Sequence, residues 1–168
     1  MSVPNNSLQP IFTALRGVFY GAAFVLLWGW LAVSVRSLDP RIPIAIPLWL
    51  RPLGLALASA GAVLAATCLA TFITRGRGTP APFDPPRVFV ASGPYRYVRN
   101  PMYVGGIGVL FGAGLVLLSP AIVLLALAFF VIAHVFVVAY EEPTLARKFG
   151  ESYAQYRSRV SRWIIKIP

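Results

Sequence analysis

PMYVGGIGVLFGAGLVLLSPAIVLLALAFFVIAHVFVVAY, residues 101–140, runs for 40 residues without Asp, Glu, Lys or Arg, and His134 is its one imidazole. A helix needs about 20 predominantly apolar residues to cross a bilayer, so this stretch holds two crossings. Ser119-Pro120 is the natural turn between them. The first of the pair is the shorter and carries Gly105, Gly106, Gly108, Gly112 and Gly114. Small residues let helices approach closely in lipid, and Gly108 and Gly112 have the GxxxG spacing. Working outward, 19 uncharged residues separate Arg16 from Arg36 (Gly17 to Val35), and 23 separate Arg51 from Arg75 (Pro52 to Thr74). Each is long enough for a further crossing. The expectation is an all-α integral membrane protein with about four transmembrane helices.

Composition agrees with the bilayer as solvent. The 168 residues are 58% hydrophobic and only 12% charged, with a mean hydropathy of +0.73. A soluble domain of this length needs more charge to cover its surface. The chain reads as one membrane domain over 1–168, with two N-terminal spans in 1–74 and a C-terminal half, 75–168, that holds the chemistry. Its net charge of +10 does not mark a nucleic-acid binder, because the basic residues fall between and after apolar runs. With four spans, 12 of the 15 basic residues fall on the side of the two termini and residues 75–100, leaving Arg36, Arg41 and Arg51 opposite. The positive-inside rule then places both termini in the cytoplasm. The N-terminal apolar stretch is too long for a cleavable signal and reads as a retained span. Cys68, the single cysteine, lies within an apolar run and reads as a small buried hydrophobe.

Two flanking segments depart from the span pattern. DPRIPIAIPLWLRP, residues 39–52, has prolines at 40, 43, 47 and 52, too dense for a regular helix. It reads as an interfacial loop anchored by Trp49. After Glu142, residues Leu145, Phe149, Tyr153, Tyr156 and Val160 recur at intervals of four, four, three and four. Charges fall between them, which describes a C-terminal amphipathic surface helix.

Chemistry concentrates in two places. Glu141-Glu142 puts two of only five acidic residues side by side at a membrane boundary, where an ionisable group is costly. They either face water and complement the N-terminal dipole of the following helix, or they serve a site. The segment RVFVASGPYRYVRNPMYVGG, residues 87–106, holds a Gly93-Pro94 turn and an Asn100-Pro101 helix start. Arg75 to Arg99 could merely set topology and meet anionic lipid. Yet Arg96 and Arg99, with Tyr95, Tyr97 and Tyr103 beside a helix start, also make a competent anion-binding corner. His134 reads as an interhelical hydrogen-bonding group. The chain has no phosphate loop, metal-ligand cluster or Ser/His/Asp set.

GPYRYVRNPMYVGG, followed some forty residues later by EEPTLARKFGESYAQYRSRV, resembles the C-terminal signature of the isoprenylcysteine carboxyl methyltransferase and phospholipid methyltransferase superfamily. The resemblance covers roughly residues 80–168. It implies a membrane-embedded enzyme using S-adenosylmethionine in a cytoplasm-facing pocket, with the bilayer and a lipophilic small-molecule or lipidated substrate as partners. Carried over by position, it implies a cofactor side formed by Arg87, Val88, Phe89, Val90, Tyr95, Arg96, Asn100, Pro101, Met102, Tyr103, Glu141 and Glu142. Glu141, Glu142 and Arg99 are the implied catalytic groups, and no metal is implied. The family normally has His where this chain has Asn100; an amide can donate and accept hydrogen bonds but cannot titrate. A prenyl-cysteine carboxylate, a phospholipid amine and a small lipophilic thiol or acid all fit as acceptor, and no oligomeric state is implied. The alternatives are an NADPH-dependent isoprenoid or sterol reductase, which needs several converging arginines, and a non-enzymatic membrane protein. The latter predicts paired charges within the spans, and apart from His134 none is present.

Overall fold

The computed structural model describes residues 9–76 and 89–165. Arg87 and Val88, expected on the cofactor side, lie outside the described residues, as do Arg77 and Lys166, two of the twelve basic residues counted above. Within them the chain is helical and forms no strand, apart from one isolated parallel bridge between Val98 and Ser161. The helices are α1 (Gln9–Val35), α2 (Arg51–Thr71), α3 (Pro101–Val116), α4 (Pro120–Phe136) and α5 (Glu142–Arg159). Both α2 and α4 end in a wide π-type turn, Phe72–Gly76 and Val137–Glu141.

Among the described residues, three helical runs are long and apolar enough to cross a membrane: Ala14–Arg41, Leu48–Gly76 and Pro120–Arg159. The apolar stretch 101–140 divides unequally, and α3 takes only 16 residues. At 1.5 Å per residue that is about 24 Å, short of a ~30 Å hydrocarbon core. What ends α3 is a wrapped turn. Leu117 and Ser119 donate their amides to the carbonyls of Ala113 and Gly114, both at 2.9 Å. Leu118 takes the left-handed conformation, φ 52°, that usually falls to glycine.

The start of α4 is held by a carboxylate from 80 residues away. Fully buried Ser119 accepts from the amide of Ile122 at 3.3 Å and donates to Asp39 Oδ1 at 2.8 Å. The same oxygen accepts from the amide of Ala121 at 3.0 Å. Asp39 thereby places its charge against the positive end of α4 and ties the segment after α1 to the α3–α4 turn. This end of the bundle, with residues 36–50, is termed the loop face. The opposite end carries the candidate site.

Helices α2 and α3 run antiparallel with their backbones in contact. A Cβ on Gly61 would lie 2.5 Å from the carbonyl oxygen of Gly105, and one on Gly112 would lie 2.5 Å from that of Gly54. Gly108 lies over Leu57 and Gly61 in the same seam, so the GxxxG pair packs closely as expected. The other side of α3 meets α4, with Gly106 against the Phe129 ring and Gly114 against Val123. Helix α1 leans on this pair through Phe24 and Trp28, whose rings lie 5.8 and 4.3 Å from that of Phe129. Its other large apolar side chains, among them Phe19, Leu26 and Trp30, remain exposed, as suits lipid.

The seam gives a direct test. Gly61→Ala forces the α2 and α3 backbones apart and should destabilise by about 1–3 kcal/mol. Gly29→Ala, where nothing lies within 4 Å, should leave thermal unfolding in detergent unchanged or slightly improved.

Candidate functional site

The corner is built from the turn that precedes α3. Gly93 opens a 3-10 turn, Gly93–Arg96, at φ +61°, and a Cβ there would also press within 3.0 Å of the Thr71 hydroxyl. Both the backbone conformation and the space require glycine. The turn sends the Tyr95 side chain inward, where it is buried with Val90 and Cys68, and Leu64, Phe72 and Met102 pack against them. The phenol of Tyr156 donates back to the carbonyl of Tyr95. Burial first, and the neighbouring Cys68 second, push the Tyr95 phenol well above its ordinary pKa. Phe89 lies among the rings of Phe149, Tyr153 and Tyr156 of α5, with centroids 5.1 to 6.0 Å away. Arg96 points outward over the Tyr97 ring at 5.5 Å.

The adjacent carboxylates have different partners. Glu142, 9% exposed, takes Arg162 in bidentate fashion at 2.6 and 3.1 Å, and Arg99 Nη1 at 3.1 Å. A carboxylate held by two guanidiniums is ionised and oriented. Its hydrogen bond also raises the Arg162 pKa above the ordinary arginine value. Glu141 turns instead to α3 and accepts from the Tyr103 hydroxyl at 3.2 Å. Arg99 reaches the Tyr153 phenol at 3.5 Å, while its Nε is buried without a hydrogen-bond partner among the described residues.

A short strap, residues 160–163, closes over these groups. The Arg99 amide donates to the carbonyl of Ser161 at 2.8 Å. Asn100, 7% exposed, donates through Nδ2 to the carbonyl of Arg162 at 3.2 Å. Trp163 Nε1 donates to His134 Nδ1 at 3.0 Å, and the Trp163 ring lies edge-on to Tyr103 at 6.4 Å. His134 therefore links α4 to the strap. Pro101 begins α3 and is fully buried.

The structure thus brings Arg99, Asn100 and Glu142 together, and sets Tyr103 beside Glu141. Val90, Tyr95 and Met102 form an apolar wall against α2. Arg96 stands apart at the surface, and Arg87 and Val88 fall outside the described residues. Sequence reasoning did not place Arg162 or Trp163 in the site; it read Trp163 only as letting the chain end against lipid or protein. The SRW run at 161–163 puts a basic and an aromatic residue just past the periodic segment, which was the available signal.

A buried guanidinium nitrogen without a partner is a donor left for an anion. Glu141, next in the chain to the Glu142 that pairs with Arg99, offers a carboxylate bound to a tyrosine rather than to an arginine. A zwitterionic ligand with hydroxyl groups needs one group of each kind, and S-adenosylmethionine is such a ligand, so the residues present fit it. Membrane-length helices that end in a strapped corner of paired carboxylates, arginines and tyrosines define a membrane-embedded protein with a built polar site. The chain belongs to the phospholipid methyltransferase family, whose profile matches residues 49–152; this is part of the wider superfamily of membrane methyltransferases that includes the isoprenylcysteine carboxyl enzymes. No curated protein matches the chain.

Truncations should rank by what each group holds. Glu142→Gln leaves two guanidiniums without their counter-charge and should destabilise by about 3 kcal/mol or more. Glu141→Gln keeps a hydrogen bond to Tyr103 and should cost under ~1.5 kcal/mol. Asn100→Ala removes one bond to the strap, about 1 kcal/mol, and Asn100→His should recover part of it. Thermal unfolding of the four variants in one detergent reads the order.

Proposed function

We propose that the protein transfers a methyl group from S-adenosylmethionine to a lipophilic acceptor, an isoprenylcysteine-type carboxylate or a related lipid, at the cytoplasmic membrane face. The observation that carries this reading is the buried, unpartnered Nε of Arg99, whose guanidinium pairs with Glu142 while the adjacent residue, Glu141, is left to Tyr103, in a chain of the phospholipid methyltransferase family. Arg99 would hold the methionyl carboxylate. Glu141 would take the ammonium or the ribose hydroxyls, and Phe89, Val90, Tyr95 and Met102 would give the apolar surroundings. When bound, the cofactor supplies a methyl group already made electrophilic by its sulfonium.

The chain's own part is to orient and to exclude water. Glu142 fixes the two guanidiniums, so Arg99 presents its remaining nitrogen in one direction. The strap and Trp163 shield the corner. For a carboxylate or thiolate acceptor no general base is needed; for an amine, Glu141 is the nearest carboxylate to take the proton. In this reading α3 serves as a fourth, short span between α2 and α4, and α5 lies along the membrane surface with its basic residues outward. Both termini then share the side of the site.

Purified protein should bind S-adenosylhomocysteine by calorimetry, and Glu141→Gln should weaken that binding several-fold without the large loss of stability expected for Glu142→Gln. Methyl-labelled cofactor incubated with membranes should pass label into an organic-extractable product. Binding of NADPH in place of S-adenosylhomocysteine would overturn the reading.

Topology is tested separately. Reporter fusions after residue 168 and within residues 42–47 should report opposite sides, with the C-terminal fusion cytoplasmic. An exported C-terminal reporter would remove the site from the cytoplasmic face.

A further inference from the structure

The loop face, at the far end of the bundle from Glu142, carries a second constellation. Arg36, Arg41 and Arg51 are all exposed there. Asp39, the only acid of residues 36–53, is turned inward onto Ser119 and the amide of Ala121. This surface therefore carries three guanidiniums against one carboxylate, and that carboxylate is engaged by neutral donors at the start of α4 rather than by any of the arginines. Among the same arginines, Ile44, Leu48 and Trp49 are 57%, 62% and 74% exposed. Large apolar groups beside guanidiniums are poorly accommodated by water alone, whereas the headgroup level of a bilayer satisfies both. Beneath the loop lies an apolar cavity of about 240 Å³, lined by Ile44, Ile46 and Leu50 on one side and by Leu115, Val123 and Leu124 on the other. Arg51 follows directly on one of these lining residues, and Arg41 precedes the first by three positions.

We propose that this face binds one anionic phospholipid of the adjacent leaflet, with an acyl chain in the cavity under residues 44–50 and its phosphate on Arg41 and Arg51. Guanidinium matches phosphate geometry through paired N–H donors. A net negative headgroup is favoured over a zwitterionic one because the latter brings its own cation to a surface already crowded with them. A second copy of the chain is disfavoured as occupant, since two such faces would oppose like charges. The 3-10 turns Arg36–Arg41 and Leu48–Leu50, with prolines between, hold the loop in one shape. Little ordering is then left to occur on binding.

The test is native mass spectrometry of the full chain released from nanodiscs of equal phosphatidylcholine and phosphatidylglycerol. The parent should retain one phosphatidylglycerol about 25-fold over phosphatidylcholine. Arg41→Gln/Arg51→Gln should lose that preference, at roughly fivefold per arginine, and Ile46→Trp should reduce retention by filling the cavity while leaving all three arginines. Arg157→Gln/Arg159→Gln, at the other end, should retain the lipid as the parent does. Equal retention of the two lipids by the parent overturns the proposal. So does unchanged preference in Arg41→Gln/Arg51→Gln, or a dimer that vanishes in that variant in place of bound lipid.

Discussion

Gly61 and Gly105 face each other with no room for a side chain on either, and Gly54 and Gly112 repeat the contact further along the same seam. Lipid offers helices no hydrophobic reward for associating, so contact area between backbones has to supply it. That constraint places α3. A helix of 16 residues, held on one side by α2 and on the other by α4 through Gly106 and Gly114, has its depth and rotation set by its neighbours. Arg99, Asn100 and Tyr103 stand at or just before its first turn. The polar corner is therefore positioned by an apolar seam that shares none of its chemistry.

The two glutamates show how a small local irregularity becomes a division of labour. Helix α4 closes with the wide turn Val137–Glu141, and α5 begins at Glu142. Wide turns of this kind shift the phase of the side chains that follow and recur at functional positions. Glu141 here reaches Tyr103 on α3, while its neighbour reaches Arg99 before α3 and Arg162 from the strap. One carboxylate is consumed in neutralising and aiming two arginines. The other keeps an uncharged partner, the Tyr103 hydroxyl. Asp39 at the loop face is spent as Glu142 is, on holding elements together, so these two acids act as fasteners at opposite ends of the bundle.

Much of the framework was legible because it is periodic or punctuated. The apolar runs, the Ser119-Pro120 turn, the start of α3 at Pro101 and the packing of Gly108 and Gly112 all follow from local rules of length and residue type. The four-span count met a different limit: an uncharged stretch fixes total length but not where a turn divides it, and the Leu118 turn left α3 short of the usual crossing length. Gly54 and Gly61 were not singled out, because a seam is a property of two helices and only one carried the GxxxG spacing. Asp39 and Arg162 were missed for a related reason. Their partners lie 80 and 20 residues away, and no periodicity links a loop acid to a helix start or a tail arginine to a helix acid.

The family match ends at residue 152, inside α5, so Tyr153, Tyr156 and the strap residues Ser161, Arg162 and Trp163 all lie beyond it. Yet these residues hold the corner together. Arg162 completes the neutralisation of Glu142, Ser161 takes the Arg99 amide, and Trp163 covers Tyr103. The matched stretch supplies the seam, the paired carboxylates and the arginine turn, while the unmatched tail gives Glu142 its second counter-charge and covers the corner. Without Arg162, Arg99 alone would be left to neutralise a buried carboxylate. The bidentate partner of Glu142 therefore comes from the tail, outside the matched stretch, and the polar corner is complete only with it.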